Sequence, residues 1–407
     1  MAEEKFNNNK ISTVIQNFLT LRYDPSQKSF LPNLTSSNFQ TTVNQLSLEK
    51  IETLLQNYVL EKFSNPPKKI TISLSGGIDS TLILAILRKV LPSTEIHAIS
   101  IRFANSVDET SWAKKIADKF EANFEILEIE NYLSELPKSI QITQLPFWDI
   151  HWYYVANKAK QYSNFLASGD GGDELFGGYV FRYSKFLSMI KPNSTITQKI
   201  SAYLNCHERD WVPDQEKLFG QNSNFNWETI HKIFEKYFDN SLDPINQVFL
   251  ADYNGKLLYN FSIISNKINH SFNIDAITPI LSNELITYSS HMSPELKYDF
   301  TQNIGKLPLR KLLQKYGADT LISQKKLGFS VDTLNLWESV GRELCESFLE
   351  NGRLIENKFI EKNWISGLIR KPDLNVRYVN KFLGLLSLEL WYRLFVTKEI
   401  DSNLKLG

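Results

Sequence analysis

Two glycine-rich loops carry the residues best suited to chemistry in this 407-residue chain. The first, Ser75-Gly76-Gly77-Ile78-Asp79-Ser80, stands between a β-branched run and an apolar stretch with helical spacing. Glycines there let the backbone approach an anion. The unpaired N–H groups of a first helical turn, at the positive end of the helix dipole, hold phosphate oxygens. An aspartate in such a loop repels bare phosphate but can hold a Mg²⁺ that bridges phosphates. Alone, the loop also reads as an ordinary glycine turn. The second loop, Ser168-Gly169-Asp170-Gly171-Gly172-Asp173-Glu174-Leu175-Phe176-Gly177-Gly178-Tyr179, sets three carboxylates among glycines. A solvated acidic turn would account for the carboxylates and not for the glycines. No G-x-x-x-x-G-K-[ST] pattern occurs, so a Walker-type NTPase is not supported.

Both loops need elements to hold them. Ile70-Thr71-Ile72-Ser73-Leu74 has strand character, and Leu82, Ile83, Ile86, Leu87 and Val90 then recur on one helical face. Residues 95–101 read as a second strand, followed by a helix opened by a capping box at Ser106 and Glu109 and carrying Ala113, Ile116, Ala117 and Phe120. A strand at 124–129, a helix near 150–162 and a strand at 164–168 complete the alternation. Strands alternating with helices predict an α/β fold with a doubly wound parallel sheet. Such sheets bind ligands at the carboxyl ends of their strands, so the two loops face one crevice and Asp79 and Asp173 can share a metal. Beyond about residue 185 amphipathic helical windows dominate, at 227–238, 245–259, 306–316 and 382–395, predicting a mostly helical C-terminal lobe. The Asn- and Ser-rich stretches 220–226 and 239–243 read as surface loops. The expected organisation is an irregular lead-in over 1–49 with one helix around 11–21, an α/β core over 50–190, and a helical lobe of the same domain over 191–407.

Composition narrows the function. Lys plus Arg and Asp plus Glu each number 45, which leaves no net field to draw the chain onto nucleic acid or an anionic membrane. With 42% hydrophobic residues the chain can bury a substantial core. Cys206 and Cys345 are the only cysteines, too few for a disulfide framework or a thiolate metal site. The N-terminus has neither the basic nor the apolar region of a signal peptide, and no apolar run approaches membrane-spanning length. The expectation is a soluble, cytoplasmic protein with no nucleic-acid or membrane partner.

The S-G-G-x-D-S loop resembles the pyrophosphatase-type P-loop of enzymes that split ATP into AMP and pyrophosphate. S-G-D-G-G-D-E-L-F-G-G-Y resembles the signature of the synthetase half of class B asparagine synthetases. The resemblance runs over roughly residues 50–395. It takes in Asp108-Glu109, Leu145-Pro146-Phe147-Trp148-Asp149, Gly305-Lys306-Leu307-Pro308-Leu309-Arg310 and Lys326-Leu327-Gly328-Phe329. It implies an adenine nucleotide α-hydrolase-like fold and an ATP-dependent carbon–nitrogen ligase. Such an enzyme adenylates a carboxylate, aspartate first, and transfers ammonia or an amine to it. By position, Leu74 and Ile101 would hold adenine and ribose, and Ser168 and Gly169 the adenylate. Ser75, Gly76, Gly77 and Ser80 would cradle phosphates, with Asp79 and Asp173 on Mg²⁺. Lys326 and Lys306 would neutralise departing pyrophosphate, although either lysine taken alone reads as a surface cation.

Departures from the family pattern bear on the substrate. The family's S-L-E-x-R-x-P-F-L-D element appears as Asn273-Ile274-Asp275-Ala276-Ile277-Thr278-Pro279-Ile280-Leu281-Ser282. Asp275 would stand one methylene short of a Glu used near the reacting acyl group, while Ile277 and Ser282 replace an Arg and an Asp. Loss of both partners of an ion pair leaves no buried charge alone, so the fold is expected to survive. The family's N-terminal glutaminase cysteine has no counterpart, since no Cys precedes position 206. The chain therefore resembles a free-standing synthetase half, to which a separate glutaminase would supply ammonia. The rival readings are a ligase or cyclase acting on another carboxylate, a non-catalytic nucleotide-binding subunit, and a tRNA-modifying enzyme, which neutral charge disfavours.

Overall fold

The computed structural model describes residues 8–103, 110–322 and 331–407. Its centre is a five-stranded parallel sheet: β1 (Lys69–Ser73), β2 (Glu95–Phe103), β3 (Asn123–Ile129), β4 (Phe165–Ala167) and β5 (Asp275–Ile277). The spatial order is β3-β2-β1-β4-β5, so the winding reverses between β1 and β4. Four strands lie where the sequence pattern predicts. The fifth, β5, comes from the C-terminal half and is three residues long, too short to show a period of two.

β1 is buried along four of its five residues, which is why it reads as an unbroken apolar and β-branched run rather than an alternation. Helix Ile78–Val90 follows it with every residue from Ser80 to Leu87 buried. That helix packs against Leu48–Lys62 and Leu307–Lys315. Helix His151–Ala159 lies on β1, β2 and β4, with Ser262–Ser271 behind it. The capping box at 106–109 falls outside the described residues; the helix it was to open runs over Thr110–Lys119.

Helix Val376–Phe395 organises the C-terminal half, packing against Asn8–Leu21, Leu136–Thr143 and Arg342–Leu349. Its Glu389, fully buried, accepts from the backbone N–H groups of Arg353 (2.7 Å) and Leu354 (3.0 Å) and from Arg393 (2.6 Å). Two predictions are revised. The helix read over 245–259 ends its regular turns at Asp252 and continues as a π-helix, Tyr253–Phe261, with Gly255 off helical geometry. The 220–226 stretch is anchored rather than superficial: Ser223 is fully buried, donates to the Phe359 carbonyl and receives Ser12 and Gln16 on its own carbonyl.

Candidate active site

β1 ends at Ser73, Leu74 leads into Ser75–Ser80, and helix Ile78–Val90 starts within that motif after its N-cap Gly77. Within the loop the Ser75 and Ser80 hydroxyls lie 3.2 Å apart, and the Gly77 N–H donates to Ser75 Oγ at 3.3 Å. β4 ends beside β1 and continues into Ser168–Gly171 and the short helix Gly172–Phe176. Both loops thus leave the sheet at the reversal of winding, where open α/β sheets form their crevice. A cavity of about 790 Å³ opens there, and Ser75, Gly77, Asp79, Ser80, Ser168, Gly169, Asp173 and Lys306 all line it.

The loops approach closely because glycine faces each carboxylate. A Cβ on Gly172 would overlap Asp79 Oδ1, and one on Gly178 would overlap Asp173 Oδ1. Lys306 joins the two acids. Its ammonium lies 2.9 Å from Asp173 Oδ1 and is ion-paired to Asp79 Oδ2. Burial opposes charge on Lys306, and the two carboxylates overcome it, holding the ammonium above the ordinary lysine range. Lys306 adopts a left-handed backbone (φ 59°) immediately before helix Leu307–Lys315, with its N–H donating to the Phe176 carbonyl at 2.9 Å. A lysine held in that conformation costs free energy that its surroundings must offset, a pattern found at functional sites.

The donor chemistry fits Mg²⁺. Asp79 and Asp173, which converge here on the Lys306 ammonium, would offer two hard oxygen donors, and Mg²⁺ is commonly held by one or two carboxylates with the remaining positions taken by water and substrate phosphates. No larger cluster of His, Cys, Asp or Glu suited to a metal occurs among the described residues.

Other expectations place differently. Leu74 is fully buried with its N–H bonded to the Ile99 carbonyl at 2.9 Å, and Ile101 is buried in β2. Neither Leu74, Gly76 nor Ile101 is on the wall of this cavity. Lys326 lies outside the described residues. Asp275 is a correction. It begins β5, paired with Phe165 at the start of β4, and is exposed. In a parallel sheet that is the amino edge, opposite the loops at the carboxyl edge, and Asp275 is not on the wall of the cavity. Ile277 is instead a fully buried core residue, and Ser282 caps helix Asn283–Ser290, its Oγ accepting from the Leu285 N–H at 3.2 Å.

The cavity also gathers residues the sequence did not mark with a role. Glu174 accepts from the Tyr179 hydroxyl at 2.6 Å, and burial with the neighbouring Asp173 charge raises its pKa to about 7. Asp170 accepts from Ser168 Oγ at 2.8 Å and is raised by burial. Asp149 and His151 form a pair at 2.9 Å. Their signal was available as an Asp-x-His spacing ahead of a helix, though that spacing is common. Arg310 also lines the cavity, its Nε donating to the Gly305 carbonyl at 2.9 Å. Among the described lining residues, five carboxyl groups face two permanent cations and one imidazole, so phosphates here would need a cation beside them.

A phosphate-type loop at a helix N-terminus, set across the switch point of a doubly wound sheet from a second acidic loop, defines a nucleotide-type α/β site. The chain belongs to the asparagine synthase family, whose model (Asparagine synthase) matches residues 25–393. Over 332 residues it is 25% identical to asparagine synthetase (glutamine-hydrolyzing) 1 of Bacillus subtilis (strain 168), covering 73% of this chain and 51% of that protein. The chain thus spans about half the length of the curated relatives it matches, 51% and 53% for two of them. Among solved structures it is similar to NMN synthetase from Francisella tularensis, with TM-score 0.28 and 17% identity, covering 58% of this chain and 99% of that one. It is also similar to an NH3-dependent NAD synthetase from Campylobacter jejuni subsp. jejuni, with TM-score 0.26 and 18% identity, covering 51% and 93%. No helix among the described residues is long and apolar enough to cross a membrane.

Proposed function

We propose that the chain is an ATP-dependent amide ligase that adenylates a carboxylate, releases pyrophosphate, and joins ammonia or an amine to the activated acyl group. The observation that carries this reading is the meeting of Asp79, Asp173 and Lys306 in front of the Ser75–Ser80 loop. Amide formation from a free carboxylate in water is uphill, so the carboxylate must first acquire a leaving group. Attack on the α-phosphate of ATP supplies one, and the charge to be stabilised is that growing on pyrophosphate. Backbone N–H groups of the loop and the dipole of helix Ile78–Val90 hold the phosphates. Mg²⁺ held by Asp79 and Asp173 would neutralise phosphate charge. Lys306, kept protonated by those two acids, places a fixed cation beside the same phosphates.

Aspartate is the first carboxylate to test, given the family. A different carboxylate is favoured by one observation, the position of Asp275 at the far edge of the sheet. Nitrogen enters as ammonia or an amine, from solution or from a separate glutaminase. Within these 407 residues both thiols are buried, and burial pushes Cys206 up to about 12, so neither is suited to hydrolyse glutamine. The test is ATP–pyrophosphate exchange against a panel of carboxylates that includes aspartate, followed by product formation with ammonium and with glutamine. Exchange dependent on one carboxylate, lost in Asp79→Asn and Asp173→Asn proteins that still fold, is the expected result. Absence of exchange with every carboxylate would overturn the reading in favour of a nucleotide-binding subunit.

A further inference from the structure

The cavity wall carries a second polar cluster, separate from Asp79, Asp173 and Lys306. Asp149 stands one residue ahead of Ile150, the N-cap of helix His151–Ala159, and His151 is the first residue of that helix. Tyr132, itself buried, donates its hydroxyl to Asp149 Oδ1, and the same oxygen lies 2.9 Å from His151 Nδ1. Ring contacts with Phe103 (5.0 Å between centroids) and Trp148 (6.4 Å) hold Tyr132 in place. The carboxylate is therefore fixed from behind and in turn fixes the imidazole. With Nδ1 committed to Asp149, the neutral ring carries its proton on Nδ1 and its lone pair on Nε2. About a quarter of each side chain is accessible, 26% for His151 and 27% for Asp149, and both face the same cavity as the phosphate loop.

We infer that His151, oriented by Asp149, is the base that takes a proton from the nitrogen nucleophile, ammonia or a primary amine, as it attacks the acyl carbon. This rests on the adenylation reading above. The amine nitrogen forms a bond to the acyl carbon, and one of its protons passes to Nε2. The carbonyl re-forms as the bond from the acyl carbon to the adenylate oxygen breaks, and AMP leaves with that electron pair. Products are the amide, AMP and a protonated His151, which returns its proton to solvent.

Asp79 and Asp173 hold Lys306, and Glu174 receives Tyr179. Histidine is also the side chain whose ordinary pKa permits proton exchange near neutrality. Among the described residues, the charged groups bearing on the imidazole include Asp149 from the loop before its helix and Asp170 from the loop after β4, with Arg22 acting on Asp149. Burial favours the neutral ring, but the two carboxylates outweigh it and raise the His151 pKa above 6.5. The same two carboxylates would attract an ammonium group to the base. Asp149 is a positioning residue: burial raises its pKa, yet His151 and Tyr132 hold it down to about 2, so it stays ionised while the imidazole titrates.

The test uses the full chain and the carboxylate that supports exchange best, with two nucleophiles, ammonium and hydroxylamine. Hydroxylamine is the less basic nucleophile, and the more acidic nitrogen of its adduct gives its proton to water, so its attack depends far less on a base. In His151→Gln, amide formation from ammonium should fall by ~10²–10⁴-fold relative to exchange. Hydroxamate formation should track exchange, and the acid limb that the wild type shows after rates are expressed per unprotonated ammonia should disappear. Asp149→Asn should shift that limb and lower kcat more than it raises KM. Equal losses of exchange, amide and hydroxamate formation would mark a structural role and overturn the assignment. So would wild-type amide formation that, expressed per unprotonated ammonia, is flat between about pH 6 and 9, a readout that needs no variant to fold. A wild-type chain without exchange overturns adenylation itself, and the base with it.

Discussion

Replacing Gly178 with alanine tests the site without altering a charge. Gly178 has no left-handed φ, so the backbone accepts alanine, and what matters is where the methyl goes. It would stand 2.8 Å from Asp173 Cγ and closer still to Oδ1, with Lys306 Cε also in its way. Carbon atoms pack at about 3.5–4.0 Å, so the Asp173 carboxylate must retreat by about 1 Å. A displacement of that size in a positioned site costs ~10²-fold in rate, or about 2.7 kcal/mol of barrier. Exchange is the assay, with the thermal midpoint measured beside it. Gly367→Ala is the control: it lies exposed in helix Lys362–Leu368 with nothing within 4 Å of the added carbon. That change should leave exchange unaltered and stabilise by ~0.5–1 kcal/mol. Unaltered exchange in a folded G178A protein would refute the claim that Asp173 must sit against Lys306 for the chemistry.

Two further outcomes follow from the same coordinates. Lys297 is fully buried; among the described residues its ammonium meets no hydrogen-bond acceptor and lies over the rings of Phe249 (4.9 Å) and Phe39 (5.9 Å). Burial lowers its pKa from 10.5 to about 7. Between those values the unfolded chain binds more protons than the folded one, so wild-type stability rises with pH across that window. At ~1.4 kcal/mol per pH unit the buried charge costs up to about 5 kcal/mol below pH 7. Lys297→Met should therefore stabilise by ~2–4 kcal/mol at neutral pH, with the advantage shrinking as pH approaches 10.5. Urea melts at several pH values check this, and a pH-independent gap would contradict it. Asp275→Asn, at the exposed start of β5, should change stability by less than ~0.5 kcal/mol and leave exchange unchanged. A marked loss of exchange would show that this carboxylate does reach the reaction.

Local order is what the linear pattern carried. The run Ile70–Leu74, the glycines after it and the apolar face from Leu82 to Val90 announce strand, turn and helix, because burial on both faces of a parallel strand and on one face of a helix leaves different spacings. The glycines beside Asp79 and Asp173 were legible too, since packing backbone against a carboxylate leaves no room for a Cβ. By itself, then, the sequence determined a doubly wound sheet, two acidic loops at its carboxyl edge and membership of a family. Tertiary structure alone decided the rest. Lys306 meets Asp79 across 227 positions of sequence, and no periodicity encodes such a contact. Asp275 was placed by its likeness to a family element and by no local pattern, and only the register of β5 with Phe165–Ala167 tells which edge of the sheet it occupies. Asp149 and His151 look like any polar pair ahead of a helix until Tyr132 and Asp170, from two other loops, close around them. What makes a carboxylate orient an imidazole is the buried space those loops share, and that space exists only once the chain has folded.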